Sequence, residues 1–124
     1  MTTVRQAIDK ADHDGYLWGE GELYDSNNDC MCIGGAIAYA CGVPLDKIDV
    51  DSTQDDHDQL YENIFTGALA NSPLQGNAVY GKNDKGFNEA RCKLEDGTLP
   101  TWEACKEVFG DEFLDTEIAC SVFS

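Results

Sequence analysis

The chain has 124 residues, of which 42% are apolar, and its 24 acidic residues against eight lysines and arginines give a formal net charge of −16. This length suits a single domain, residues 1–124, with one buried core. No apolar run is long enough to cross a membrane, and the opening stretch MTTVRQAIDKADHD lacks the apolar core of a secretion signal, so we expect a cytoplasmic protein. A chain this acidic is not expected to bind nucleic acid or membranes directly.

The first predicted element is an amphipathic helix from about Val4 to Asp14. Its apolar residues recur every three or four positions as far as Ala11, which is the spacing that places side chains on one helix face. Thr3 is a suitable N-cap residue, and Gly15 suits the position just past a helix end. We therefore expect this helix to pack on the core.

Two contrasting stretches follow the first helix. The sequence YLWGEGELYDSNND, residues 16–29, combines aromatic residues, glycines and a polar turn, which predicts either an irregular segment or a β-hairpin. The sequence CMCIGGAIAYACG, residues 30–42, predicts a compact helix from Ile33 to Cys41 that ends at Gly42. Because this helix is small or apolar on every side, we expect it to be the buried centre of the fold.

The next segment is strongly acidic. Its carboxylates are Asp46, Asp49, Asp51, Asp55, Asp56, Asp58 and Glu62, and Lys47 is the one base among them. A helix is predicted to open at Ser52 or Thr53, because acidic residues in a first turn suit the helix dipole. Its apolar stripe consists of Leu60, Ile64, Phe65, Ala68 and Leu69. With that stripe facing the core, the carboxylates can point outward. We predict that Asp46, Asp49, Asp51, Asp55, Asp58 and Glu62 bind a protein partner with a basic surface.

The second half of the chain is less regular in pattern. NAVYGKNDKG, residues 77–86, carries Asn83 and Asp84 between two glycines, which predicts a loop. A short helix is predicted from Phe87 to Leu94, and a last helix after the N-cap residue Thr101. The tail TEIACSVFS predicts either a strand or a docked end. The whole pattern predicts a mainly α fold, a single small helical domain, with α+β as the alternative if the β-hairpin near residues 16–29 forms.

The six cysteines are Cys30, Cys32, Cys41, Cys92, Cys105 and Cys120. An even number fits disulfides in a secreted chain, but without an export signal we expect free thiols that are mostly buried as small apolar residues. Zinc sites usually pair C-x₂-C ligands, whereas the C-x-C of Cys30 and Cys32 has no second pair. Loops starting at Asp25 or Asp49 lack the glycine and glutamate of an EF-hand. We therefore predict no disulfide, no metal site and no cofactor.

A cysteine-dependent hydrolase or transferase is the alternative function. A thiolate at a helix N-terminus is stabilised by the helix dipole, and Cys30 and Cys32 lie where the small helix begins. His57 and Asn83 follow in the order of a papain-like site. His57, however, stands in the sequence DDHD, which is typical of a solvated helix start. The pattern therefore favours packing over catalysis for these cysteines.

Cys32, Gly35 and Ala36 form a Cys-x-x-Gly-Ala pattern, and Asn83 and Asp84 follow later in VYGKNDKG. Together with the amphipathic first helix and the turn after it, these elements resemble a family of small uncharacterised domains from actinobacteria and their phages. The family has a Cys-x-x-Gly-Ala helix near its start and a Trp-Asn-Asp element further on.

Lys82 stands where that family carries its Trp, and the Arg-Thr and helix that usually follow would correspond to residues from Thr101 onward. The resemblance implies that the small helix and the Asn-Asp element belong to a shared scaffold. It also implies that Asn83 and Asp84 cap a helix and do not perform chemistry. It implies no particular activity.

These observations predict a small acidic, non-enzymatic accessory protein of the kind that phages encode, which acts in the host cytoplasm by binding a host protein. In its most specific form the prediction is DNA mimicry, in which the acidic surface occupies a basic, nucleic-acid-binding site. The alternative remains an enzyme that uses Cys30 or Cys32.

Overall fold

The computed structural model describes residues 2–49 and 54–123, without the side chains of residues 54–56. Helices dominate this part of the chain, which confirms the mainly α fold class. The α helices are α1 (Val4–His13), α2 (Ile33–Ala40), α3 (Leu45–Ile48), α4 (Gln54–Glu62), α5 (Asn77–Cys92), α6 (Trp102–Phe109) and α7 (Asp111–Leu114). A π-helical segment, Asn63–Ala68, continues α4, and a 3-10 turn spans Cys120–Phe123.

Helices α1 and α2 pack against each other at the centre of the core, as predicted. A capping box begins α1, in which the Gln6 N–H donates to the Thr3 hydroxyl at 3.2 Å and the Thr3 N–H donates to Gln6 Oε1 at 3.0 Å. Every residue of α2 from Ile33 to Ala38 is buried. Gly35 is required there, because a Cβ atom would overlap the backbone carbonyl of Leu23. The small helix is therefore held closely by the chain that precedes it.

Three short strands precede α2, namely β1 (Leu17–Trp18), β2 (Tyr24–Asp25) and β3 (Cys30–Met31), in the spatial order β1-β3-β2. β2 and β3 are antiparallel and form a hairpin over residues 24–31, which is shifted towards the C-terminus from the one predicted near residues 16–29. β1 adds to β3 in parallel and pairs Trp18 with Met31. This register holds Trp18 beside the strand that leads directly into α2.

The predicted loop over residues 77–86 is wrong, because α5 is one continuous helix that also takes in most of the predicted short helix after it. Glycine and asparagine lower the intrinsic helix propensity of this stretch, but tertiary contacts require them. A Cβ atom on Gly86 would lie 2.5 Å from Val108 Cγ1 in α6, so the glycine allows the two helices to approach closely. Asn83 is fully buried and hydrogen-bonded.

The prediction of no disulfide is also wrong, because Cys41 and Cys120, which are 79 positions apart in the sequence, are bonded, with their Cα atoms 5.2 Å apart. The bridge ties the end of α2 to the C-terminal 3-10 turn. The free cysteines are Cys32 and Cys105, which are buried as predicted, Cys30, which is partly buried, and Cys92, which is exposed.

The C-terminal segment is docked on the domain, which is one of the two predicted alternatives. The Val4 N–H donates to the Thr116 carbonyl at 3.0 Å, and the Ile118 N–H donates to the Thr2 carbonyl at 2.8 Å. Helix α6 begins after Thr101, as predicted, although the hydroxyl of Thr101 makes no capping hydrogen bond. These contacts close the fold around α1.

Candidate functional site

The acidic segment of residues 46–62 occupies α3, α4 and the connection between them. Asp46 is exposed in the first turn of α3, the side chain of Asp58 is 68% exposed on α4, and Glu62 is exposed at the end of α4. Asp58 and Glu62 are four residues apart and therefore lie on the same helix face. The predicted apolar stripe faces the core, since Ile64 and Phe65 are buried. The carboxylates of α4 thus face solvent, while the apolar side of the same helical segment packs in the core.

The other predicted carboxylates divide into two groups. Asp49 is half-buried and lies near Tyr24, whose phenol has a pKa raised by burial, by Asp29 and, to a smaller extent, by Asp49. Asp51 and the side chain of Asp55 lie outside the described residues. The predicted opening of the helix at residues 52–53 also lies outside them.

An aromatic cluster borders the carboxylates of α4. It comprises His57, Tyr61, Phe65 and Tyr80. The Tyr61 ring centroid lies 4.5 Å from that of Phe65, 5.5 Å from that of Tyr80 and 6.0 Å from that of His57. Burial raises the pKa of the Tyr61 phenol, which stays neutral at ordinary pH. A shallow cavity of about 250 Å³ beside Tyr61 is also lined by Asp58 and Glu62. Aromatic faces beside carboxylates attract cationic side chains.

The two thiols proposed as nucleophiles are in unfavourable surroundings for that chemistry. Cys32 is the N-cap residue of α2 and is buried, and burial raises its pKa to about 11 even though backbone N–H groups at the start of α2 favour the thiolate. Burial and the carboxylates of Asp25 and Asp29 raise the pKa of Cys30 as well. Because a reactive cysteine needs a lowered pKa, both environments count against a nucleophilic role.

The remaining members of the papain-like alternative have other contacts. His57 lies against the Tyr61 ring, with Nδ1 4.0 Å from the carboxylate of Asp58. Asn83 hydrogen-bonds to structural groups of the core. Within the described residues, no hydrogen bond joins Cys32, His57 and Asn83 to one another.

Asn83 lies at the centre of a buried polar cluster. Its Oδ1 accepts from the Trp18 indole N–H at 2.7 Å and from the Ile33 backbone N–H at 3.0 Å. Its Nδ2 donates to the Gly19 carbonyl at 3.1 Å and to Asp84 Oδ1 at 3.1 Å. Ile33 is the first residue of α2, so the side chain of Asn83 caps that helix from a distant part of the chain.

The polar cluster continues outward to the protein surface. Asp84 Oδ1 also accepts from the Gly21 backbone N–H at 3.1 Å. Asn88 donates to a carboxylate oxygen of Glu20, and to the Asp84 carbonyl at 2.9 Å. Arg91 then donates to Asn88 Oδ1 at 2.8 Å. Helix α5 therefore positions the turn between β1 and β2 by a chain of hydrogen bonds.

No group of three or more His, Cys, Asp or Glu side chains in the described part of the chain is placed to hold a metal ion. Among the same residues, no helix is both long enough and apolar enough to span a membrane. Comparisons with protein-family models, with curated proteins and with solved structures give no match to this chain. Its function must therefore be argued from its own residues.

Sequence reasoning missed the partners of Asn83. The Asn-Asp pair itself was visible as a motif, but Trp18, Gly19 and Ile33 meet it only through the tertiary fold. The Trp18 indole was the available signal, since a buried tryptophan needs an acceptor for its N–H. The exposure of Leu94 and Leu99, which follow the end of α5 in the sequence, was also missed.

Proposed function

We propose that this protein is a small acidic, non-enzymatic accessory protein that binds a basic, nucleic-acid-binding surface of a partner protein through residues 46–62. The observation that carries the proposal is the exposure of Asp46, Asp58 and Glu62 on elements anchored in the core. A formal net charge of −16 adds long-range attraction to any basic surface. DNA mimicry is the specific form of this proposal.

The aromatic cluster beside the carboxylates supports binding of a protein and not of a bulk counterion. Tyr80 is 38% exposed and lies edge-on to Tyr61, which lines the cavity shared with Asp58 and Glu62. An arginine or lysine inserted there would meet both a carboxylate and a ring face.

We further propose a phage origin and action in the host cytoplasm. The Cys41–Cys120 bridge counts against a cytoplasmic location, since cytosolic thiols are kept reduced.

The test is a triple variant with Asp55→Asn, Asp58→Asn and Glu62→Gln. We expect it to fold as the parent does and to lose capture of partners from host lysate, with capture by the parent falling steeply as salt rises. The matched control is Asp12→Asn, Glu112→Gln and Glu117→Gln, which removes three exposed carboxylates elsewhere.

Captured partners should be released by double-stranded DNA if the acidic surface mimics it. Equal loss of capture in the test and control variants would show that net charge alone is responsible, and the proposal would fail. Capture that survives the triple variant but is lost in Cys32→Ser would move the site to α2 and favour the enzymatic alternative.

A further inference from the structure

Exposed apolar side chains gather at one end of α5. Among the described residues, the large apolar side chains with high exposure are Leu17 (48%), Leu99 (46%), Leu94 (41%) and Tyr80 (38%). Leu99 lines one cavity together with Leu17 and another together with Leu94, so the three leucines form one continuous patch. Single exposed leucines are ordinary, but a contiguous patch is typical of a binding surface.

This patch continues into a groove of about 450 Å³ between α5 and α6. The groove exists because α5 and α6 approach closely at Gly86 and Val108, while small side chains line the space beside that contact. Ala90 and Ala104 form part of its walls, and Leu94 lies at its edge. The result is an apolar depression flanked by leucines, shaped to receive protruding side chains.

The rim of the groove is mainly negative. The groove itself is lined by the carboxylates of Glu89 and Glu107 and by one base, Lys93. The adjoining cavity, which shares Leu94 and Leu99 with the groove, adds Glu95, Asp96 and Arg91. Arg91 is engaged locally, since it donates to Asn88 and its guanidinium lies 5.8 Å from the centroid of the Phe87 ring. An occupant of the groove therefore meets apolar walls inside and carboxylates at the edge.

We propose that this groove binds the apolar face of a basic amphipathic helix of another protein. Such a helix places leucine-sized anchors at positions i, i+3, i+4 and i+7, and its lysines or arginines would face the acidic rim. A second copy of this chain is a poor occupant, because each copy carries a formal net charge of −16 and two acidic rims would face each other. The proposal is independent of the acidic segment, which lies on α3 and α4.

The test uses a synthetic Leu–Lys peptide of about five helical turns with leucines at that spacing, a scrambled peptide of the same composition, and a Leu–Glu peptide of the same pattern. Fluorescence anisotropy should show the patterned Leu–Lys peptide binding at least about tenfold more tightly than the other two. Leu94→Ser combined with Leu99→Ser should weaken that binding by about tenfold or more. The matched control Ala78→Ser changes an exposed apolar side chain at the opposite end of α5, outside both proposed sites, and should leave it unchanged.

A second pair of substitutions, Glu89→Lys and Glu107→Lys, keeps the test valid if the leucine variant fails to fold. It should weaken binding of the Leu–Lys peptide while leaving the melting temperature close to that of the parent. Equal binding of patterned and scrambled peptides would overturn the proposal, as would loss of binding in the Asp55, Asp58 and Glu62 triple variant alone. Sedimentation that reveals a dimer abolished by Leu99→Ser would make a second copy the occupant and would overturn it as well.

Discussion

The indole N–H of Trp18 donates to the buried amide oxygen of Asn83 at 2.7 Å, across 65 positions of sequence. The same oxygen accepts the N–H of Ile33 at the start of α2. One side chain on α5 therefore fixes both β1 and the first turn of α2. The buried polar cluster stabilises the fold, and these two hydrogen bonds explain why an asparagine stands in the middle of α5.

Replacing Asn83 by leucine should destabilise the domain strongly. The Trp18 indole, the Ile33 N–H and the Gly19 carbonyl would lose their partner inside the core. We expect a loss of about 3 kcal/mol or more in the free energy of unfolding, since each unsatisfied buried group costs about 1–3 kcal/mol. Urea unfolding measures it. Asn71→Ala, at an exposed position, is the control and should stay within about 0.5 kcal/mol of the parent.

Two Gly→Ala substitutions in helices should have opposite signs. At Gly35 the added Cβ would lie 2.8 Å from the carbonyl carbon of Leu23, so backbone must move, and we expect a loss of more than about 1–3 kcal/mol. At Gly81 in α5 no atom lies within 4 Å of the added Cβ, so we expect a gain of roughly 0.4–1 kcal/mol. Thermal melts of the two variants decide the point. A Gly35→Ala variant as stable as the parent would contradict the close packing of α2.

The Cys41–Cys120 bridge should stabilise the domain measurably. Removing it with Cys41→Ser should lower the free energy of unfolding by about 2–4 kcal/mol, because the bridge restricts the unfolded chain. The exposed free thiol of Cys92 supplies the control, and Cys92→Ser should behave as the parent does. Addition of a dithiol reductant should lower the melting temperature of the parent and leave that of Cys41→Ser unchanged. An intact mass equal to that of the fully reduced chain, in protein handled without reductant, would show that no bridge forms.

The contact between Tyr39 and Asp14 should make stability depend on pH at both extremes. The Tyr39 hydroxyl donates to Asp14 Oδ2 at 2.6 Å, which lowers the pKa of Asp14 from its usual 3.8, and the carboxylate raises the pKa of Tyr39 to about 12. The stability that Asp14 contributes to the folded state is complete above pH 3.8 and is lost as the pH falls through the lowered pKa of this carboxyl. The contribution of Tyr39 is complete below its usual value of 10.0 and is lost as the pH rises towards 12.

Tyr39→Phe should therefore be less stable than the parent between those limits, and the two proteins should converge towards acid and towards strong alkali. Urea unfolding across the pH range measures the difference. The control Asn71→Ala removes no titratable group from an exposed position, so its difference from the parent should not change with pH. A difference between parent and Tyr39→Phe that does not change with pH would mean that the hydrogen bond is not the cause.

The helices with amphipathic patterns or with uniformly small side chains could be predicted from the sequence. Helices whose residues are determined by contacts with distant parts of the chain could not. The apolar spacing of α1 predicted its span within a residue or two, and the small side chains of α2 predicted its burial. The first part of α5, residues 77–86, was missed because Gly86 and Asn83 lower helix propensity locally, while they contact Val108 and Trp18 far away in the chain. The Cys41–Cys120 bridge was missed for a different reason, since the lack of a visible export signal led us to expect only reduced thiols.

The two candidate sites also differ in how far the sequence predicts them. The acidic segment was visible as a run of carboxylates, and its exposed members could be assigned from the apolar stripe opposite them. The groove between α5 and α6 was not visible, because its leucines look like core residues in the sequence. Only the fold shows that Leu94 and Leu99 stay outside.

The long-range hydrogen bonds of Asn83 also limit where the chain can be cut into fragments that fold. Its hydrogen bonds to Ile33 and Trp18 join positions 50 and 65 residues apart, and closing loops of that length costs conformational entropy before any contact rewards it. A fragment that stops before α5 would contain α1 and α2 but not the group that starts α2. We therefore expect that such a fragment does not fold on its own, and that the core around α2 closes only once α5 is available to supply Asn83.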